Sequence, residues 1–229
     1  MKTAIVTGAS GNLGRAIVKE LISNNYFVIG AVPPNDPVTI DFPSDKFEKK
    51  EVDLLDEKQS ADFISTILQD HATIDAVILT VGGFASGSIS DSSLSDVMKQ
   101  VELNFSTTYN IARPVFLQMM KKGFGHIFIT GSRAGLHSFH SKGMVAYSLG
   151  KSLLFRLADL MNDEAKGTNV VTSIIVPSTI DTPQNRNAMP DIDPANWVKA
   201  SDIANIIRYH CSDEASVLRE TVIKVYGNS

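Results

Sequence analysis

The feature that most constrains this chain is a short β-branched run at residues 3–7 that breaks into Gly8 and then gives way to a helical pattern over residues 16–21. Ile17, Val18, Leu21 and Ile22 fall on one face of that helix. The alternation then repeats. Strands are expected at 27–32, 51–54, 76–81, 126–130, 170–176 and 221–225, with helices at 57–68, 94–120, 145–164 and 201–210. Strands separated by helix-length segments cannot pair as tight hairpins. They form βαβ units, and so an α/β fold: a doubly wound, Rossmann-like parallel sheet with helices on both faces. A length of 229 residues suits one such domain over the whole chain. The 94–120 helix is expected to bend near Pro114. Residues 178–200, rich in Pro, Asp and Asn, carry no clear pattern and read as a substrate loop.

Composition removes several function classes. Lys and Arg total 21 against 25 Asp and Glu, which leaves no basic footprint for nucleic acid and no polybasic patch for a membrane. No apolar run approaches the roughly 20 residues a membrane-spanning helix needs, and residues 1–7 lack the apolar core of a leader. A single cysteine, Cys211, rules out a disulfide framework or zinc cluster and fits a reducing, cytoplasmic setting.

In a doubly wound sheet, ligands sit beyond the carboxyl ends of the strands. After the first strand comes Thr7-Gly8-Ala9-Ser10-Gly11-Asn12-Leu13-Gly14. Its glycines allow a tight turn and a close backbone approach, and the amides of the following helix would face a pyrophosphate. The plain alternative is a glycine-rich turn with no ligand. Tyr147 and Lys151 lie four apart on one helix face. A tyrosine of ordinary pKa about 10 needs a neighbouring ammonium to work as an acid-base group near neutrality. Ser132 follows the strand that ends Ile129-Thr130-Gly131, and Asn104 interrupts the long helix, where a helix-bending or surface role is the alternative.

Together these residues resemble the short-chain dehydrogenase/reductase family, and the resemblance covers essentially the whole chain. It implies Tyr147 as general acid in reduction. Lys151 would lower its pKa and hold the nicotinamide ribose, Ser132 would orient the substrate carbonyl, and Asn104 would hold a water in the proton relay. The implied cofactor contacts are Gly8, Ser10, Gly11, Asn12, Leu13, Gly14, Asp53, Leu54, Val81, Gly82, Tyr147, Lys151, Pro177, Ile180 and Thr182. Of these, Asp53 would accept from the adenine amino group and Thr182 would meet the carboxamide. Family members commonly assemble as homodimers or homotetramers through two long helices, here 94–120 and 145–164. The runs Val115-Phe116-Leu117 and Leu153-Leu154-Phe155 suit either an interface or the core.

Some features depart from the commonest pattern. The glycines at 8, 11 and 14 are evenly spaced, Thr80-Val81-Gly82-Gly83 and Pro177-Ser178 replace the usual motifs, and fifteen residues separate Ser132 from Tyr147. Even spacing, Val81-Gly82-Gly83-Phe84 and the segment 181–190 resemble dihydropteridine reductases, whose pattern keeps neither the Ser nor the Asn. A general carbonyl or secondary alcohol is therefore the favoured substrate over a quinonoid dihydropterin. A non-catalytic nucleotide-binding regulator, or an epimerase or dehydratase of the extended branch, are the readings from other classes. An acid at the end of the second strand would mark NAD, but that place holds Val32-Pro33-Pro34-Asn35, with Asp36 too far along. The balance between NADP and NAD therefore tips to NADP. The histidines show no ligand spacing apart from His137 and His140, so no metal is expected. Trp197 either anchors the 178–200 segment or closes over a substrate.

Overall fold

The computed structural model describes residues 1–43, 45–219 and 221–228, and at His140 the backbone alone. In chain order the first half holds β1 (Lys2–Thr7), α1 (Asn12–Ser23), β2 (Tyr26–Val32), β3 (Phe47–Glu51), α2 (Glu57–Asp70), β4 (Ala76–Leu79), α3 (Leu94–Val101) and α4 (Thr107–Lys122). The second half holds β5 (Phe124–Thr130), α5 (Arg133–Leu136), α6 (Val145–Glu164), β6 (Asn169–Pro177), β7 (Ile180–Asp181), α7 (Pro183–Ala188), β8 (Val198–Lys199), α8 (Ala200–His210) and β9 (Val222–Val225). Seven strands form one parallel sheet in the order β3-β2-β1-β4-β5-β6-β9. The chain winds outward from β1 to β3, then crosses back to β4. That reversal opens a crevice at the carboxyl ends of β1 and β4, where Thr7 pairs with Leu79.

The inner strands β1, β2, β4 and β6 bury both faces, which is why they read as apolar runs. Alternate residues feed two cores. Ile5, Ile29, Val77 and Ile127 pack under α2, α4 and α6, while Ala4, Val6, Ile78 and Phe128 pack under α1 and α8. Helix α1 buries Gly14, Ile17, Val18, Leu21 and Ile22, the face its periodicity predicts. Asp56 caps α2 by accepting from the Gln59 amide at 2.9 Å. A capping box between Ser93 and Asp96 starts α3, and Gly123 in the left-handed region (φ 78°) ends α4.

Three expectations are corrected. The third strand lies at 47–51 rather than 51–54. It is an edge strand, and Phe47-Glu48-Lys49-Lys50-Glu51 carries the charges that protect an edge and hide it from an apolar-run reading. The long helix is interrupted by a π turn at Glu102–Ser106, while α4 runs on through Pro114. Residues 178–200 are not patternless. Ile180 pairs with Val198 in a two-stranded sheet, and α7 starts where the Thr182 hydroxyl accepts from the Asn185 amide at 3.1 Å. Arg186 grips Asp181 with two bonds of 2.6 and 2.8 Å.

Candidate active site

The turn between β1 and α1 begins at Gly8, whose φ of +64° is a conformation an L side chain resists. A Cβ at Gly8 would stand 2.8 Å from Thr80 Oγ1, and one at Gly14 would run into the Gly8 carbonyl oxygen. Backbone approach here leaves room for nothing larger. No side chain caps α1 and its first turn carries no acid, so its leading amides keep their partial positive charge. Gly11 and Asn12 are exposed, and Asn12 Nδ2 donates to Gln184 Oε1 at 2.6 Å, joining the turn to α7. Leu13 packs onto the core beneath. The cradle fits the pyrophosphate of a dinucleotide.

Beyond β4 the chain passes Thr80, whose hydroxyl donates to the Thr7 carbonyl at 2.6 Å, and reaches Val81 and Gly82. A Cβ on Gly82 would meet Asn104 Oδ1 at 2.6 Å and Lys151 Nζ at 2.9 Å, so two side chains and the Gly82 backbone, from three segments, converge on one point. Asn104 is fully buried in the π turn, not at the surface. Its Oδ1 accepts from the Gly83 amide at 3.1 Å, and its Nδ2 faces Gly83 O, Gln100 O and Gln100 Oε1 at 3.0, 3.1 and 3.0 Å. The Asn104 carbonyl accepts from the Thr108 hydroxyl at 3.1 Å. Buried Gln100 thus holds the orientation of Asn104. The sequence offered no periodic signal for it, because a glutamine four residues before an asparagine reads as an ordinary helix surface.

Lys151 is 4% exposed, and its Nζ donates to the Thr130 carbonyl at 2.7 Å. Burial pulls its pKa down to about 8. Ser132 caps the short α5, its Oγ accepting from the Gly135 amide at 3.0 Å, which leaves its hydroxyl hydrogen to face Tyr147. Burial raises the Tyr147 pKa and the Ser132 hydroxyl opposes that rise. Tyr147 is covered on one side by the Phe84 ring, edge-on at 5.2 Å, so desolvation dominates.

The remaining expected residues flank this centre. Asp53 and Leu54 follow β3: the Asp53 carboxylate accepts from the Leu55 amide at 3.0 Å, and the Leu54 carbonyl accepts from Asn110 at 2.9 Å. Pro177 ends β6 against Val225, Ile180 packs on the α1/α8 core, and Thr182 spends an acceptor on capping α7. Trp197 is half-buried beside β8, its amide donating to the Pro194 carbonyl at 2.9 Å. The His140 side chain lies outside the described residues.

A doubly wound sheet with an uncapped glycine-turn helix at its switch point defines a dinucleotide-binding α/β protein. Residues 2–193 match the family described as short chain dehydrogenase, and the chain belongs to that family. It is 25% identical to a 3-oxoacyl-(acyl-carrier-protein) reductase of Haemophilus influenzae, over 99% of this chain and 97% of that protein. It is 26% identical to a dihydropteridine reductase of Dictyostelium discoideum, over 89% of this chain and 84% of that protein. Among solved structures, ElxO with NADP bound shares the fold at a TM-score of 0.89 and 18% identity, covering 99% of this chain and 97% of its own. Gox2181 does so at a TM-score of 0.84 and 19% identity, covering 98% and 93%. The protein is an NAD(P)-dependent oxidoreductase.

Proposed function

We propose that this enzyme interconverts a small carbonyl compound and its secondary alcohol, with Tyr147 as general acid and base. The observation that carries the reading is the convergence beyond β4 and β5. The Tyr147 phenol meets the Ser132 hydroxyl, and Lys151 Nζ and Asn104 crowd the same point beside Gly82. When bound, the nicotinamide cofactor supplies or accepts the hydride. Tyr147 gives its phenolic proton to the carbonyl oxygen in reduction and takes it back in oxidation. Ser132 donates to that oxygen and holds it in line. One hydrogen of the Lys151 ammonium goes to Thr130, and in this reading the others would bind the ribose and help replace the proton lost by Tyr147. The glycine turn with Ser10, Asn12 and Leu13 would hold the pyrophosphate side. Asp53, Leu54 and Val81 would flank the adenine, and Pro177, Ile180 and Thr182 the nicotinamide.

The reading takes residues 1–229 as one domain with 178–200 as its substrate loop, working in a cytoplasmic setting. Assembly as a homodimer or homotetramer is part of it. Val115, Phe116 and Leu154 are core residues, but Leu117, Leu149, Leu153 and Leu160 stand exposed on α4 and α6. A second reading, reduction of a quinonoid dihydropterin, is favoured by Phe84, which offers a flat and largely exposed ring against Tyr147. Initial rates of NADPH and NADH oxidation with an acetoacetyl thioester and with a quinonoid dihydropterin separate the two. Thioester turnover without pterin turnover supports the first reading. The reverse pattern supports the second and makes Ser132 and Asn104 dispensable.

A further inference from the structure

We propose that Tyr226 is a positioning residue for catalysis, acting through the guanidinium of Arg133 to set the direction of the Ser132 hydroxyl. The proposal rests on the reading of Ser132 as the group that orients the substrate carbonyl. Ser132 caps α5, and α5 is a single turn of four residues. So short a helix has too few internal bonds to fix its own direction, and contacts from elsewhere in the fold must do so. One is at Gly135, where a Cβ would stand 2.7 Å from Lys151 Cβ and 3.0 Å from the Lys151 carbonyl oxygen. Another comes from Ser141, whose hydroxyl donates to the Ala134 carbonyl at 2.8 Å. The third is at the residue next to Ser132 itself. Arg133 lays its guanidinium over the Tyr226 ring, 4.0 Å from the centroid.

Tyr226 is suited to anchor that end of the turn because its own place is fixed. It follows Val225, which closes β9 in register with Pro177 of β6. The Tyr226 carbonyl accepts from the Ser178 hydroxyl at 2.9 Å, and the Ser178 amide donates to the Val225 carbonyl at 3.0 Å. Its side chain packs on the core under α2, α4 and α6. The backbone bonds join the end of the sheet to the first residue of 178–200, and the ring joins it to α5. A residue just beyond the last strand therefore touches both segments that the proposed function places around the substrate. The two ties differ in what they require. The backbone bonds survive a change of side chain, whereas the contact with Arg133 needs an aromatic ring. Without it Ser132 still caps α5, its Oγ accepting from the Gly135 amide at 3.0 Å, but the capped turn loses the anchor nearest the hydroxyl.

The test is steady-state kinetics with an acetoacetyl thioester and the nicotinamide cofactor that supports turnover. Tyr226→Leu removes the ring and Arg133→Met the cation. Each is expected to lower kcat by about five- to tenfold with KM within about twofold. Tyr226→Phe keeps the ring and should stay within about twofold of the wild type. Ser132→Ala by itself should cost about a hundredfold or more. In that background Tyr226→Leu should cost less than about twofold further, because a contact that acts through Ser132 has nothing left to act on. Should Tyr226→Leu fail to fold, Arg133→Met decides the matter, since it leaves the core side of Tyr226 in place. Full kcat in Arg133→Met, a loss in Tyr226→Phe as large as in Tyr226→Leu, or an undiminished effect of Tyr226→Leu in the Ser132→Ala background overturns the proposal. A wild type inert toward the thioester, or Ser132→Ala at full rate, overturns the reading of Ser132 and the proposal with it.

Discussion

The two ends of the parallel sheet both bury titratable groups, yet only one carries the residues proposed for chemistry. At the amino edge Tyr26, Asp75, His126 and Cys211 gather around cavities of about 490 and 230 Å³. Burial pushes the Cys211 thiol up to about 12, raises the Tyr26 phenol, and draws His126 down to about 4. At the carboxyl edge Tyr147 and Lys151 are displaced by the same force. The difference lies in what the groups face. Tyr26 donates to the Cys211 carbonyl at 3.2 Å, and Asp75 accepts from the Thr3 amide at 2.7 Å, so these groups tie strands and helix ends together. The Ser132 hydroxyl faces the Tyr147 phenol, and Lys151 Nζ, beyond its bond to the Thr130 carbonyl, lies with Asn104 beside Gly82. Cavity volume and a shifted pKa by themselves mark only desolvation; convergence of donors is the observation on which the proposed reaction centre rests.

That contrast breaks first at Tyr147. Tyr147→Phe is expected to lower carbonyl turnover by about 10²- to 10⁴-fold while changing dinucleotide affinity by no more than about fivefold, measured by initial rates and fluorescence titration. Activity within a fewfold of the wild type would move the proton donor elsewhere. The next largest effect belongs to the amino edge and concerns stability alone. His126 folds as the neutral imidazole, so between its folded pKa of about 4 and its ordinary value near 6.5 the unfolded chain binds more protons. Stability is therefore complete above pH 6.5 and is lost as pH falls toward 4, by roughly 2 kcal/mol. Urea melts at pH 7 and 4.5 read this loss, and His126→Gln should flatten it.

Gln100 sharpens the contrast at the catalytic edge. Gln100→Leu removes the Oε1 acceptor from Asn104 Nδ2, and kcat should fall by about five- to tenfold with KM held, as loss of roughly 1 kcal/mol of positioning predicts. A change in KM alone would place Gln100 in substrate binding instead. Smallest is Tyr26→Phe, which deletes the bond to the Cys211 carbonyl. It should cost about 1 kcal/mol in chemical denaturation and leave turnover as it is.

Much of this was legible without coordinates. Ile17, Val18, Leu21 and Ile22 repeat at helical spacing, and the apolar runs at β1, β5 and β6 stop at glycine or proline where the sheet ends. Strand β4 leaves the sheet at Leu79, before the run expected to reach Val81. Local periodicity carries that information because burial on a helix face or a two-sided strand must repeat with the backbone. Glycine turn, Ser132, Tyr147 and Lys151 were likewise visible, since their spacing follows the strand ends. Edge strand β3 was misplaced because its charges obey the demands of an exposed edge rather than a core.

Chain order and periodicity alone determined the doubly wound sheet, the turn at Gly8–Gly14 and the shared helix face of Tyr147 and Lys151. Only the tertiary structure decided the rest. It put the break in the long helix at a π turn, where burial of Asn104 against Gly83 and Gln100 outweighs regular helical bonding. It also folded 178–200 around a two-stranded pair, and fastened the loop after β2 with two bonds from Lys49 to the Asp36 and Val38 carbonyls. These features depend on contacts between residues far apart in the chain, whose energies no local spacing encodes.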